Sequence, residues 1–356
     1  MKSNTDIKEA DITRRFPEIL TRRLVMRQTA SLYDPIGLLT PITLQAKLLM
    51  RESIFEQRLI VNISSKDIWD IPISHSLYEK WKVYFKELFQ ICNIHFDRCI
   101  KPKNAIGKPI LILFSDGSQL AFGACAYIRW ELSDGSFISR LVLSKNRIAP
   151  TCQLTIPRLE LSGCILSVRL RKQIEKELKI EFECIFHLTD SSIVHAQILN
   201  ESSRFATFVA NKVAEIQRKS SSNNWFWIST KDNVADFTTR PLKPAEINSE
   251  SVWQCGPKFL SLPVSLWPIK KFVDSSSKLP DLIDKIKVDN LINHTVNNFT
   301  NQSITVKKPI IDASKFNSFF KLLRVTVRVF NLFKYKSLKS VLTNPTVEEL
   351  RHAEYF

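Results

Sequence analysis

Four acidic residues lie at positions where folding alone does not require a carboxylate. Asp116 follows the apolar run ILILFS and Asp190 follows the run CIFHLT, so each lies at the end of a predicted strand. Glu160 lies in the first turn of the most clearly patterned helix, and Asp236 in the first turn of a predicted last helix. Each has an ordinary explanation when taken alone, because aspartates form turns after strands and acids in first turns favour the helix dipole.

Taken together, the four carboxylates predict a site for divalent cations. Strand ends and helix starts gather at one rim of an α/β sheet, so the four side chains are expected to converge there. They would repel one another unless a cation compensates their charge, and hard oxygen ligands select Mg²⁺ or Mn²⁺. Two such ions about 4 Å apart form the clamp that cleaves phosphodiesters. The predicted cofactor is therefore two Mg²⁺ ions, which Mn²⁺ could replace.

The elements that must position these residues follow the order β-β-β-α-β-α-α-β-α. Apolar runs predict three strands from Pro109 onward, and the second and third are joined by a turn over Ser133–Ser136. The clearest helix spans 156–178, with Leu159, Gly163 and Leu166 on one face. The remaining elements are a strand at 182–189, helices at 191–199 and 204–219, a strand at 225–228, and a last helix over 233–240. This order predicts an α/β fold with a mixed sheet.

The flanking regions have a different pattern. Residues 1–25 are polar, and 26–100 are predicted to be helical, with one apolar stripe over Leu44, Leu48 and Ile54 or Phe55. A second stripe consists of Trp81, Phe85, Leu88 and Phe89. Residues 101–108 are predicted to be a linker, and so are the Ser-, Asn- and Lys-rich residues 274–310. Residues 315–342 are predicted to form a basic amphipathic helix.

Composition narrows the class of protein. Fifty-one Lys and Arg against 35 Asp and Glu give the chain a net charge of +16. This charge suggests a polyanionic partner such as nucleic acid. An equally good interpretation is that the charge only keeps this basic protein in solution. Only 7 glycines are present, and no glycine-rich phosphate loop occurs. The 7 irregularly spaced cysteines argue against a disulfide framework and a thiolate zinc site. We expect an intracellular, cytoplasmic protein, with the nucleus as an alternative, and no membrane association.

Four passages of the sequence, together with the order of the four carboxylates, carry a resemblance to known proteins. In chain order, the passages are ASLYDPIGLLTPITLQAKLLMRE; FSDGSQLAFGACAYIRW with TIPRLELSG and LTDSSIV; STKDNVADFTTRPLKPAEINSESVWQCGPKFL; and FNSFFKLLRVTVRVFNLF with LTNPTVEELRHAE. The order of the carboxylates resembles that of ribonuclease H, and the passages are similar to the polyprotein of BEL/Pao-type LTR retrotransposons. The first is similar to the end of its reverse transcriptase region, the second to its ribonuclease H core, the third to the segment after that core, and the fourth to the spacer before the integrase.

The resemblance implies a ribonuclease H-like mixed sheet flanked by helices, with Asp116, Glu160, Asp190 and Asp236 as catalytic metal ligands. It implies a metal-dependent endonuclease that cuts the RNA strand of RNA/DNA hybrids and leaves 5′-phosphate and 3′-hydroxyl ends. Its partners would be the hybrid and the polymerase and integrase parts of the same polyprotein.

The resemblance also implies a division of the chain. The polar segment 1–25 is followed by a thumb- or connection-like helical region at 26–104 and the ribonuclease H-like domain at 105–245. An extension of that domain at 246–273 and the linker at 274–310 precede the basic spacer at 311–356, so the chain is expected to be part of a longer polyprotein. The chain lacks the motifs of a polymerase, a retroviral-type protease and an integrase, because no Asp-Asp pair, no D-[ST]-G and no His/Cys zinc knuckle occur.

One feature departs from the family pattern. Ribonucleases H often carry a histidine in the loop before the last aspartate, where it is thought to help product release. The corresponding loop here, Ser229 to Asn233, has no histidine. If that loop has an active role, turnover is expected to be slow.

Substrate contacts are predicted next to the carboxylates. Small polar residues read the 2′-hydroxyl in a hybrid, and a basic side chain can bind a phosphate. The candidates are Gly117, Ser118, Gln119, Ser191, Ser192 and Arg240. Turn capping by the serines and a plain surface position for the arginine are the competing interpretations. The strand residues Trp130, Trp225 and Trp227 are expected in the core rather than stacked on bases.

Three other functions stay open from the sequence. The same fold could bind nucleic acid beside the polymerase with weakly held metals and no cleavage. The chain could also be a decaying or domesticated fragment, although the intact tetrad argues against long decay. A structure-specific DNA nuclease would differ from our prediction only in its substrate.

Overall fold

In the computed structural model, which describes residues 16–58, 69–96, 99–152, 154–271 and Val327, five strands form one mixed sheet. They are β1 (Ala105–Gly117), β2 (Ala121–Leu132), β3 (Phe137–Ile148), β4 (Ile185–Thr189) and β5 (Trp225–Trp227). Their order is β3-β2-β1-β4-β5. The first three strands are antiparallel to one another, and β4 runs parallel to both β1 and β5. The predicted α/β fold with a mixed sheet flanked by helices is confirmed.

Seven α-helices accompany the sheet in the described residues. They are α1 (Arg22–Ala30), α2 (Thr40–Arg58), α3 (His75–Leu88), α4 (Ile156–Leu178), α5 (Ser192–Leu199), α6 (Thr207–Lys219) and the one-turn α7 (Val252–Cys255). Helix α4 has the predicted bounds, and Ser191 caps α5 by accepting a hydrogen bond from the N–H of Val194. Helix α1 begins inside the segment predicted to be polar and irregular, where the Thr21 hydroxyl accepts from the N–H of Leu24.

The prediction of a last helix that begins over 233–240 is wrong. The structure has a five-residue 3₁₀ helix, Val234–Thr238, capped by the Asn233 side chain. Pro241 explains the difference, because proline disfavours the α conformation of the residue before it and has no N–H to donate to a longer helix. Asp236 therefore lies on a short, tightly held turn rather than on an α-helix.

Two further differences concern the region before the sheet. Strand β1 begins at Ala105, inside the predicted linker 101–108, and has a bulge between Ile106 and Ile110. In α2 the predicted stripe is only partly buried, because Phe55 is 44% exposed while Ile42, Leu44, Ala46 and Leu49 are buried. In α3, Trp81 and Phe85 are buried as expected, whereas Phe89 lies beyond the helix and is exposed.

Helices pack on both faces of the sheet, and β1 contributes side chains to the core on each face. Leu111 and Leu113 share a core with α4 on one face, while Ile112 and Phe114 share a core with α2 and α3 on the other. This follows from the alternation of side chains along a strand. The helices before the sheet therefore bury their apolar sides in the same core as the sheet.

The residues after Asp236 complete that second core. Trp253, Phe259 and Trp267 belong to it, and Lys270 pairs with Trp227 at the edge of the sheet. Arg129 of β2 holds this segment, because its guanidinium donates to the carbonyl oxygens of Leu260 (2.6 Å) and Leu262 (2.7 Å).

The chain divides into two compact units, 1–283 and 284–356. In the second unit the structure describes Val327, which is helical and buried. The predicted linker at 274–310 and the rest of the predicted basic helix lie outside the described residues. Within the described part, none of the helices combines the length and apolar character that crossing a membrane requires.

The fold makes a testable prediction at His187 of β4. The ring is fully buried, contacts the Ser167 hydroxyl at 2.7 Å and stacks on Trp225. Burial lowers the pKa of His187 to about 3. Below about pH 6.5 the imidazole is therefore protonated in the unfolded chain while it stays neutral in the folded chain. His187 by itself therefore contributes stability that is lost as the pH drops from 6.5 towards 3. In denaturant titrations over this range we expect the free energy of unfolding of the wild type to fall relative to that of His187→Asn. The exposed His75→Asn is the matched control; an equal slope in wild type and His187→Asn would contradict the prediction.

Candidate active site

Two of the predicted carboxylates lie at the ends of neighbouring parallel strands. Ser115 of β1 pairs with Thr189 of β4, so Asp116 and Asp190 are the next residues on the two strands. Adjacent strands are about 4.8 Å apart, which brings the two backbones close at this rim. Asp116 is buried, with 9% of its surface exposed, and Asp190 is half-buried.

Glu160 reaches the same rim because α4 lies unusually close to β1. A Cβ at Gly117 would overlap the backbone of Glu160, and a Cβ at Gly163 would come within 2.5 Å of the Asp116 carbonyl oxygen. Any side chain at either position would push the helix away from the strand. The sequence carried a signal for this contact, since Gly163 interrupts an otherwise strong helical pattern in a chain with only 7 glycines.

The turn that carries Asp236 is tied to the sheet next to Asp116. The Asn233 amide donates to the Ser115 carbonyl oxygen (3.1 Å), and the Thr239 hydroxyl donates to Asp116 Oδ2. Sequence analysis missed Thr239. A threonine three residues after Asp236 has no distinctive pattern, and only the fold shows which carboxylate it contacts.

Three of the four carboxylates, Asp116, Glu160 and Asp236, have raised pKa values. Burial raises the pKa of Asp116 to about 6, and the charges of Asp190 and Asp236 raise it further against the hydrogen bonds from Thr239 and the Gly117 N–H. Burial likewise raises the pKa of Glu160 to about 7, with contributions from Asp190 and Asp116. Burial and Asp190 also raise the pKa of Asp236. The structure thus brings the four predicted residues together, with the charge of Asp190 acting on each of the other three.

Three of the carboxylates have a donor of their own. Thr239 donates to Asp116, the Ser191 side chain hydrogen-bonds Glu160, and Arg240 Nε lies 3.0 Å from Asp236 Oδ1. As placed, no three or more His, Cys, Asp or Glu side chains in the described residues form a group that could hold a metal ion. The chemistry of the donor set nevertheless fits Mg²⁺ or Mn²⁺, because it consists of carboxylate oxygens, and burial and then neighbouring carboxylate charge raise the pKa values of Asp116, Glu160 and Asp236.

The residues predicted to contact nucleic acid divide into two groups. Gly117 packs against α4, Ser118 closes the β1–β2 turn by accepting from the N–H of Ala121 (3.3 Å), and Ser191 caps α5. These three therefore have structural roles. The side chains of the other three are exposed at or next to the rim: Gln119, Ser192 and Arg240.

The three strand tryptophans lie in or against the core. Trp225 and Trp130 are buried, and Trp227 is half-buried. Trp227 has a further role that the sequence did not indicate, because its indole N–H donates to the Asp190 carbonyl oxygen at 2.8 Å. It thereby fixes the backbone at the end of β4.

Residues 21–191 match the family model described as the Pao retrotransposon-like RNaseH-like domain. This part of the chain is similar to that family. The match includes Asp116, Glu160 and Asp190, and it begins at α1, so the helices before the sheet lie within the matched residues. Asp236 lies beyond the matched residues. A comparison with curated proteins found no match.

Several solved ribonucleases H show a distant likeness. RNase H1 from the archaeon Halobacterium salinarum NRC-1 is 13% identical, with a TM-score of 0.24 over 36% of this chain and 89% of its own. The N-terminal RNase H domain of a Mycobacterium tuberculosis protein is 16% identical, with a TM-score of 0.23 over 35% and 86%. LC11-RNase H1, solved in complex with an RNA/DNA hybrid, is 12% identical, with a TM-score of 0.25 over 35% and 88%. Likeness at this level carries no conclusion about function.

The electrostatics of the site predict that Asp190→Asn stabilises the metal-free protein. Asp116 and Glu160 have raised pKa values in the fold, so their own contribution to the free energy of unfolding falls as the pH rises from about 4 to 7 and both groups ionise. Removing the Asp190 charge weakens this repulsion and should raise stability by about 1 kcal/mol at pH 8. Denaturant unfolding in EDTA measures it.

Asp134→Asn is the matched control. Asp134 lies in the exposed β2–β3 turn, where hydrogen bonds from Ser136 lower its pKa, so its replacement should bring no gain. Equal or lower stability of Asp190→Asn at pH 8 would contradict the account of the site.

Proposed function

We propose that the Pao RNaseH-like domain of this chain is a metal-dependent endonuclease that hydrolyses the RNA strand of RNA/DNA hybrids, leaving 5′-phosphate and 3′-hydroxyl ends. The observation that carries the proposal is the placement at one rim of four carboxylates that repel one another. Asp116 and Asp190 follow paired residues of β1 and β4, Glu160 lies on α4 against Gly117, and the turn of Asp236 is tied to the Ser115 carbonyl oxygen. Folding gains nothing from this repulsion. A catalytic cation site explains why four separate elements present acids at one rim.

The predicted ligands are Asp116, Glu160, Asp190 and Asp236. Bound Mg²⁺ or Mn²⁺ would supply an activated water and stabilisation of the leaving oxygen. The Thr239 hydroxyl and the Gly117 N–H orient Asp116 towards the rim, while Trp227 holds the backbone of Asp190. Asp236 must exchange its ion pair with Arg240 to serve as a ligand, which leaves that guanidinium free to bind a substrate phosphate.

The substrate is proposed to lie across this rim. Gln119 follows Asp116 by three residues and Ser192 follows Asp190 by two, and their exposed polar side chains are the candidates for reading a 2′-hydroxyl. The net charge of +16 favours a polyanion. The hybrid would come from reverse transcription by the polymerase part of the same retrotransposon polyprotein, with the integrase part as a further partner.

A second candidate, a nucleic-acid-binding domain with little or no cleavage, has an observation in its favour. Thr239, Ser191 and Arg240 already satisfy three carboxylates, and no metal-binding group is formed in the described residues. The loop from Ser229 to Asn233 also lacks a histidine. Both candidates predict hybrid binding, so cleavage decides between them.

The test is cleavage of a labelled RNA/DNA hybrid with Mg²⁺ or Mn²⁺, beside duplex RNA and duplex DNA. We expect cutting of the hybrid's RNA strand alone, abolished by EDTA. Asp190→Asn should lower the rate at least about a hundredfold, because it removes a ligand whose contribution is several kcal/mol. Asp134→Asn should cut like wild type.

Hybrid binding without cleavage by the folded wild-type chain would contradict the nuclease and favour the second candidate. Cleavage that Asp190→Asn does not reduce would contradict the assignment of Asp190 as a metal ligand of this site.

A further inference from the structure

A lysine from the helices before the sheet reaches towards the carboxylate rim. Lys47 of α2 donates from Nζ to Asn146 Oδ1 of β3 at 2.5 Å. Burial lowers the pKa of Lys47, so its ammonium group has lost much of its water. A partly buried cation needs compensating acceptors, and the Asn146 amide oxygen is one of them.

The Asn146 side chain also hydrogen-bonds to the turn that carries Asp236, so it links Lys47 to that turn. Its Nδ2 donates to the Thr238 carbonyl oxygen at 3.0 Å, and the side chain is buried. The orientation of the amide is unambiguous, because an ammonium only donates and a carbonyl only accepts. A flipped amide would place donor against donor and acceptor against acceptor.

The turn is clamped from two sides. Thr238 lies directly on Gly123 of β2, where any Cβ would overlap it, and Asn146 holds its carbonyl from β3. Asn233 holds the other end through the Ser115 carbonyl oxygen of β1. The next residue, Thr239, donates to Asp116, so the position of this turn affects two of the four carboxylates at once.

We propose that Lys47 is a positioning residue of the carboxylate site, acting through Asn146 and the 234–239 turn. The inference rests on the proposed function and deepens it, because α2 then belongs to the nuclease and is more than a packing partner of the sheet. Lys47 touches no reacting atom. Its removal leaves the Asn146 amide oxygen without its donor and free to rotate, which releases the carbonyl of Thr238.

Four variants separate positioning from packing. Lys47→Met keeps the aliphatic stem and removes the donor, and Lys47→Arg restores a donor. Asn146→Asp keeps the acceptor for Lys47 but cannot donate to Thr238. Lys80→Met is the matched control, because Lys80 makes a 2.5 Å ion pair with Glu52 that joins α3 to the same helix α2 and leads to no site residue.

The first readout is amide hydrogen exchange of residues 234–240 in the metal-free chain. We expect Lys47→Met and Asn146→Asp to speed exchange there about tenfold, Lys47→Arg to restore protection, and Lys80→Met to change nothing in this segment. The double variant Lys47→Met/Asn146→Asp should be no worse than either single one, since both break the same chain of contacts.

The second readout is Mn²⁺ binding by calorimetry, followed by kcat and KM for the hybrid. Supporting partners of metal ligands typically change affinity or activity 10- to 100-fold, so we expect about a tenfold weaker Mn²⁺ affinity and a lower kcat at similar KM in Lys47→Met. Lys47→Arg should recover both.

Unchanged exchange and Mn²⁺ affinity in Lys47→Met would overturn the inference, as would equal effects of Lys80→Met. An inactive wild type would count against the proposed function alone, because exchange still reports whether Lys47 positions the turn.

Discussion

The carboxylates at the rim of the sheet repel one another, and the surrounding structure is arranged to hold them there. Burial of Asp116 and proximity to Asp190 both raise the free energy of the ionised site. Local donors offset part of this energy, namely Thr239 for Asp116, Ser191 for Glu160 and Arg240 for Asp236. A site that destabilises its own fold is typical of catalytic centres, where acids are placed for chemistry.

Holding these charges in place depends on backbone contacts that only glycine permits. Gly117 and Gly163 let α4 lie against the end of β1, and Gly123 lets the turn after Asn233 lie on β2. The same three contacts set the spacing between Asp116, Glu160 and Asp236. A methyl group at any of these glycines would therefore shift a carboxylate as well as loosen the packing.

The site also depends on segments outside the sheet. Helices α2 and α3 share a core with Phe114 and Leu188, and Arg129 of β2 anchors the segment after α7 through the carbonyl oxygens of Leu260 and Leu262. The family match starts at α1, in keeping with one folding unit that includes these helices. The contact from Lys47 to Asn146 shows how such a helix can affect the rim without reaching it.

The sequence by itself determined the α/β class and the bounds of α4, because strand ends and helical periodicity are local patterns. It also predicted the four acids as ligands from their positions at strand ends and in first helical turns. It could not determine the short turn around Asp236 from periodicity alone, although Pro241 marked the end of any helix there. It identified Ser118 and Ser191 as polar neighbours of the acids, yet only the fold shows that they cap a turn and a helix. Only the tertiary structure shows the contacts of four other residues, because their partners lie on other elements. These residues are Thr239, Trp227, Asn146 and Lys47. Such long-range contacts leave no periodic trace in a single sequence, because each depends on how two distant segments pack.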